Sequence, residues 1–358
     1  SCGGDKVLPN DQQPDPVVVD VPIAFIKRSL PLDENGDLVS QDLRSLNDFV
    51  PGAALYIKAR ASASAPERNI SDRAFFSPEQ IAAATLDNPL AGYDVKDLEV
   101  SYDGNTLIFA MRAPEIEDAD EDEQPSSDIR QISFNQSHDL DPTVLSSGKI
   151  LFSRWDNAGN NNSFNLYQMN ADGSELELMY GRHSHASERS TQAVQYSQLR
   201  ELPDGKVLST LRPMSSDLWG GDYVTINIQQ FIDRTVAING QSGNAEQVAL
   251  FDNVNIDSDL SAGGRFAAVY PLWDGSNRLL FSWSQCRVYD PDVVADSAAR
   301  ILPCTDTLLA VEGIQAAPLL YGLWIYDPLE NTQLVVAVPQ ENIMYSEVVA
   351  MQARAFPA

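Results

Sequence analysis

The sequence predicts an all-β protein, a β-propeller of four-stranded blades, and three observations carry that prediction. One pattern recurs: SYDGNTLIFAMR (101–112), SSGKILFSRW (146–155), LPDGKVLSTLR (202–212) and LWDGSNRLLFSW (272–283). Each ends a strand, turns tightly at Gly104, Gly148, Gly205 or Gly275, and continues as a largely apolar strand. Glycine supplies the positive φ that a hairpin turn needs, and a neighbouring Asp tolerates the same region. The glycines stand 44, 57 and 70 residues apart. Four-stranded blades repeat at about 40–45 residues, and insertions lengthen their loops. Finally, short apolar runs bounded by turn residues recur throughout, with few helical periods.

Residues 1–20, rich in Pro, Asp and Gln, read as an extended tether. Residues 21–358 read as one propeller domain. IAFIKR (23–28), ALYIKAR (54–60) and ERNIS (67–71) are expected as the second, third and fourth strands of a blade. Its first strand is expected from the other end, in YSEVVAMQAR (345–354). A blade drawn from 21–71 and 345–354 closes the ring and removes an open strand edge; the rival reading has YSEVVAMQAR begin a further blade. The next unit, 93–134, reads as incomplete. The acidic stretch EIEDADEDEQPSSD (115–128) separates LIFAMR (107–112) from IRQISF (129–134). Like charges disfavour strand pairing, so it reads as a loop or as a place where blade residues are omitted, near Gln124–Ser127. We favour the omission and read IRQISF as the last strand of that blade. The most complete unit spans 138–181, with strands expected at 141–145, 149–155, 164–169 and 175–180 and a polar loop at 157–162. Further blades are expected near 190–251 and 255–340.

Charge narrows the function classes. The chain has 358 residues, 51 acidic against 24 basic, for a formal charge of −27. Nucleic-acid phosphates require a basic surface, so a nucleic-acid partner is not expected. An acidic surface favours solubility, cations or a basic partner. No run reaches the 18 or so apolar residues of a membrane-crossing helix. Cys286 and Cys304, 18 residues apart, read as a disulfide. No CxxC spacing suggests structural zinc, and no CxxCH motif attaches haem covalently to this chain.

Residue types point to several candidate sites. The three histidines, His138, His183 and His185, all fall in expected connections between blades. With Asp139, Asp141 and Glu188 they are a candidate set for Zn²⁺ or another divalent ion. Asp94, Asp97, Asp252, Asp257 and Asp259 occupy equivalent connections, and oxygen-rich loops suit Ca²⁺. No EF-hand spacing accompanies them. Arg154, Arg182, Arg189, Arg200 and Arg212 can pair with channel carboxylates or clamp an anion. Trp155, Trp273, Trp283 and Trp324 are expected between blades. Trp219, in the loop-like SSDLWGGDY, is the candidate for an exposed protein contact. The sequence has no GxSxG, HExxH, P-loop or GxGxxG motif.

Two resemblances add to this reading. The unit ending NADGSELELMYG is similar to TolB-type propeller repeats. NQSHDLDPTVLSSGKILFSRWDN, YGRHSH, RELPDGKVLSTLRP, YPLWDGSNRLLFSWSQC and LYGLWIYD together resemble the propeller region of bacterial proteins related to the hydrazine synthase alpha subunit. That resemblance implies a six-bladed, exported propeller associated with c-type haem proteins, and does not imply hydrazine synthesis. Ser1-Cys2-Gly3-Gly4-Asp5 resembles a bacterial lipoprotein processing site, which implies a lipid on Cys2 and a place in the cell envelope: periplasm, outer membrane or cell surface. The leading expectation is a binding or scaffold module for another protein, a multihaem or other c-type cytochrome among the candidates. The alternatives are an enzyme with a metal at the channel mouth and a structural subunit of a surface assembly or filament.

Overall fold

All four turn glycines adopt the left-handed conformation, with φ of +74° at Gly104, +79° at Gly148, +78° at Gly205 and +79° at Gly275. At Gly104 the requirement is double. A Cβ there would stand 2.8 Å from the carbonyl carbon of Gln352, so close approach as well as φ demands glycine. The computed structural model describes residues 13–14, 19–30, 33, 38–39, 50–85, 88–114, 131–181, 187–214, 219–293 and 300–357.

The architecture is all-β, a propeller arrangement of four-stranded blades with two short α-helices, Pro78–Ala83 and Asp306–Leu309, among the described residues. One sheet places Ile343–Ala350 beside Ile23–Ser29, followed by Ala53–Lys58 and Arg68–Asn69. Chain segments more than 300 residues apart in sequence thus share one blade, paired from Ile23↔Ala350 to Ser29↔Ile343. A second blade orders Asp139–Val144, Ile150–Ala158, Asn161–Met169 and Glu177–Tyr180 from first strand to last. A third runs Val194–Glu201, Val207–Pro213, Asp222–Ile226 and Glu246–Val248. A fourth runs Arg265–Pro271, Leu279–Ser284, Tyr321–Asp327 and Thr332–Ala337, and carries Gln13–Pro14 as a parallel edge strand. That pairing lies inside the stretch expected as tether. Between the first two blades stands a two-stranded sheet, Asp94–Val100 with Leu107–Arg112.

Apolar faces of neighbouring sheets make the core. Phe25, Leu55, Val95, Tyr270, Leu323 and Val349 belong to one cluster, and Leu151, Tyr196, Leu211, Phe266 and Phe281 to another. Val207–Pro213 and Arg265–Pro271 are buried along their whole length, because sheets cover both their faces. Both clusters collect residues from several sheets, as required when a single twisted blade cannot bury its own surface.

Three local expectations are corrected. The polar segment 157–162 is not a loop: Asn157↔Asn162 and Ala158↔Asn161 extend the hairpin to a turn at Gly159, where φ is +63°. Polar side chains suffice there because the backbone ladder, not burial, satisfies the segment. The strand expected at 129–134 does not form over 131–134; residues 129–130, with 115–128, lie outside the described residues. Ser133 O accepts a bond from the Gln131 amide at 2.8 Å, and Phe134 is 80 % exposed. Such local side-chain bonds compete with a ladder. The strand expected to run to residue 354 ends at Ala350. After it, Met351 N donates to Pro22 O at 2.8 Å and the chain crosses the turn at Gly104.

Cys286 and Cys304 form the expected disulfide, with Cα atoms 5.4 Å apart. It closes an excursion between the second and third strands of the fourth blade. The excursion holds its own hairpin, Arg287–Tyr289 with Ile301–Pro303, and a small apolar cluster around Val288. No helix among the described residues is long and apolar enough to cross a membrane.

Candidate functional site in the channel

The first strands of the four blades and of the two-stranded sheet converge on one cavity of about 420 Å³. Each breaks register with its neighbour at matching depth. The breaks fall between Lys96 and Glu99, Leu140 and Thr143, Ser197 and Arg200, Phe266 and Ala268, and opposite Ile26/Lys27 in the strand carrying Glu347. An extra residue in one strand of a pair re-aims a side chain. At three breaks that residue is left-handed: Asp97 at φ +60°, Asp141 at +50° and Gln198 at +48°. Asp visits this region more readily than most residues. The bulges therefore turn polar side chains into the cavity wall, which also holds Glu99, Arg200 and Glu347.

The carboxylates are held in different ways. Glu347 accepts the backbone N–H of Asp97 at 2.9 Å and of Leu98 at 2.5 Å, spanning two sheets. Burial, with the Asp97 charge beside it, pushes its carboxyl up to about 7. Burial likewise pushes Asp141 up to about 6 and raises Asp97. Glu99 accepts from Arg200 Nη1 at 2.8 Å, and Arg200 Nη2 donates to Leu98 O at 3.1 Å. Gln198 donates to Ser346 O at 3.4 Å and accepts from the Tyr223 hydroxyl. The rest of the wall is apolar, with Leu98, Phe109, Pro142, Val269 and Val348 among its side chains. The one arginine is matched by Glu99, so Asp97, Asp141 and Glu347 leave the cavity acidic.

The segment after Ala350 packs against the ends of the first strands Asp94–Val100 and Arg265–Pro271, at Tyr102 and Trp273. Arg354 N donates to Tyr102 O at 2.6 Å, and its guanidinium donates to Val100 O at 3.1 Å. That guanidinium lies 4.3 Å from the Tyr102 ring, 5.5 Å from the Trp273 ring and 3.8 Å from Glu99. Glu99 thus joins the crossing segment to Arg200 in the cavity wall.

The sequence-derived candidates separate. His183, His185 and Arg182 lie outside the described residues, as does Cys2. His138 sits 5.6 Å from the Trp155 ring, and its carbonyl accepts from Trp155 N at 2.9 Å. Asp139 is engaged by Arg154 at 2.7 and 2.8 Å, whereas Asp141, in the same strand, faces the cavity. Among the described residues no three His, Cys, Asp or Glu side chains are grouped to hold a metal ion. Asp94 pairs with Arg28 at 2.7 Å, and Asp257 accepts from Ser190 Oγ at 2.5 Å and Thr191 N at 2.7 Å. Arg189 pairs with Asp222 at 2.6 Å. Trp219, expected at an exposed contact, is only 3 % exposed. Its indole donates to Val39 O at 2.8 Å, its carbonyl accepts from Tyr321, and Arg28 lies over its ring. An apolar ring with one polar handle is stable inside once that handle is bonded.

Glu99, Gln198 and Glu347 are not among the sequence-derived candidates. For Gln198 a signal exists: Asp97, Asp141, Gln198 and Ala268 each stand seven residues before their turn glycine. Glu347 has no following glycine turn, so no such count reaches it.

The chain is similar in fold to a solved structure. That structure is described as Kuenenia stuttgartiensis Hydrazine Synthase, at 12 % identity and a TM-score of 0.49. The match covers 96 % of this chain and 47 % of that one, so this chain spans about half its length. No family model and no curated protein matches the chain.

Proposed function

We propose that this protein is a binding module whose channel cavity receives a cationic group on an apolar stem, such as the lysine side chain of a basic partner protein. The observation that supports this is the cavity wall itself: three carboxylates brought together by strand bulges, facing apolar side chains in about 420 Å³. Ligand cavities are mostly apolar with a few convergent polar groups of shifted pKa. A bound ammonium favours the ionised carboxylates, so it lowers their pKa values and binding strengthens as pH rises through 6 to 7. Calorimetric titration with an alkylammonium probe and with lysine-bearing peptides tests the proposal. Proton release on binding at pH 6.5 is expected, with affinity lost in D141N/E347Q. Equal binding of a neutral alkyl alcohol, or unchanged affinity in the double variant, removes the reading.

The same proposal includes a ring closed by the sheet that joins Ile23–Ser29 to Ile343–Ala350, with six blade positions. It also includes an envelope location, a lipid on Cys2 and a c-type haem protein as partner, which rest on the sequence resemblances. Intact-mass measurement of native material tests the lipid.

A further inference from the structure

The two-stranded sheet presents a strand edge that the four-stranded blades cover. In each of those blades the second strand is paired along both edges: Ile23–Ser29, Ile150–Ala158, Val207–Pro213 and Leu279–Ser284. Leu107–Arg112 holds the same position in its own sheet, and among the described residues it pairs only with Asp94–Val100. Its burial differs accordingly. Val207–Pro213 and Leu279–Ser284 are buried throughout, whereas half-buried and exposed residues alternate along Leu107–Arg112. Leu107, Phe109 and Met111 pack against the core, while Ile108, at 67 %, Ala110 and Arg112 are exposed.

Open edges are ordinarily guarded by lysine, proline, a bulge or a charge turned inward. LIFAMR carries no charge and no proline before its last residue, Arg112. The extra residue at the register break of this pair belongs to Asp94–Val100, between Lys96 and Glu99, and leaves Leu107–Arg112 regular. The same strand reaches the channel: Ile108, Phe109 and Ala110 line the cavity that holds Asp97, Asp141 and Glu347. Across the pair, Glu99 stands opposite Ile108 and Lys96 opposite Ala110. The acidic end of the edge is therefore at Ile108, and the basic groups Lys96 and Arg112 lie toward the other end. The stretch 115–128 shares the negative sign of the cavity, so charge selects a basic occupant over it.

We propose that the edge of Leu107–Arg112 is a docking site for an extended segment of a basic partner protein, which adds as the third strand of this sheet and directs a lysine past Ile108 into the channel cavity. Strand addition takes its affinity from main-chain hydrogen bonds and its specificity from pockets for alternate side chains. A strand added at the usual spacing of roughly 4.8 Å lets the lysine stem lie on Ile108 while its ammonium points to the carboxylates. The lysine rests on the function proposed above; the strand pairing does not.

Hydrogen exchange of the full chain, read by fragment mass with and without an acetylated peptide alternating valine and lysine, tests the pairing. Slowed exchange across Leu107–Arg112 is the expected result. The same peptide N-methylated along its backbone keeps its charge but cannot donate, and should bind roughly tenfold weaker or worse, the loss of about two backbone bonds. Equal affinity of the two peptides, or no slowing at this strand, overturns the proposal. If binding is then still lost in D141N/E347Q, the cavity reading survives without the docking edge. Slowing that persists in D141N/E347Q supports the docking edge and removes the lysine-binding cavity. Exchange in the peptide-free protein as slow at Leu107–Arg112 as at Val207–Pro213 means that the chain itself covers the edge, and also overturns the proposal.

Discussion

Asp97, Asp141 and Gln198 hold left-handed backbone in the middle of strands, a conformation that costs an ordinary residue about 1–2 kcal/mol. The surrounding ladder fixes it, and the result is polar side chains aimed at one cavity. Their neighbour Glu347 yields a prediction in pH. Its folded pKa, about 7, lies above the ordinary 4.5. A raised carboxyl contributes stability that is complete below about pH 4.5 and is lost as pH rises through 7. E347Q resembles the protonated form and escapes that loss. From pH 5 to pH 8 the wild type should therefore lose on the order of 1–3 kcal/mol relative to E347Q, allowing for screening by channel water. Urea unfolding of both proteins at the two pH values measures this. Parallel curves would mean that Glu347 titrates like a surface carboxylate.

At the scale of elements, insertions carry what the repeat does not. The fourth blade tolerates its long excursion because Cys286–Cys304 closes it and Val288 gives it a small core of its own. With the cysteines 18 positions apart, the cross-link should contribute roughly 3 kcal/mol by restricting the unfolded chain. Calorimetry of C286S/C304S should show that loss as a lower Tm. An unchanged Tm would mean the excursion unfolds independently of the blades. Turns and hairpins were legible because glycine, Asp and strand alternation act within a few residues. The ladder across 157–162 was not, since Asn-rich strands carry no apolar signal. Residues 131–134 take no strand pairing among the described residues, an outcome that their strand-like composition does not encode.

For the whole molecule, a net charge of −27 implies self-repulsion that added salt screens. The Debye length falls from roughly 30 Å at 0.01 M to about 10 Å at 0.1 M salt. Tm should therefore rise over that range even in sodium gluconate, and a flat response in scanning calorimetry would refute dominant surface repulsion. Carboxylate excess also agrees with the proposed binding of a cationic group, because surface and cavity fields then act in the same sense.

The sequence by itself determined the all-β class, the spacing of the blade turns, the disulfide and the acidic character, since each depends on residue type and short-range order. It also held the channel positions in a hidden form, seven residues before each turn glycine. Only the tertiary structure decided which side chains meet. Glu347 reaches Asp97 across 250 positions, and Trp219 is buried under residues from both ends of the chain. Those outcomes depend on which sheets become neighbours, and neighbourhood between distant segments is set by packing rather than by any local preference.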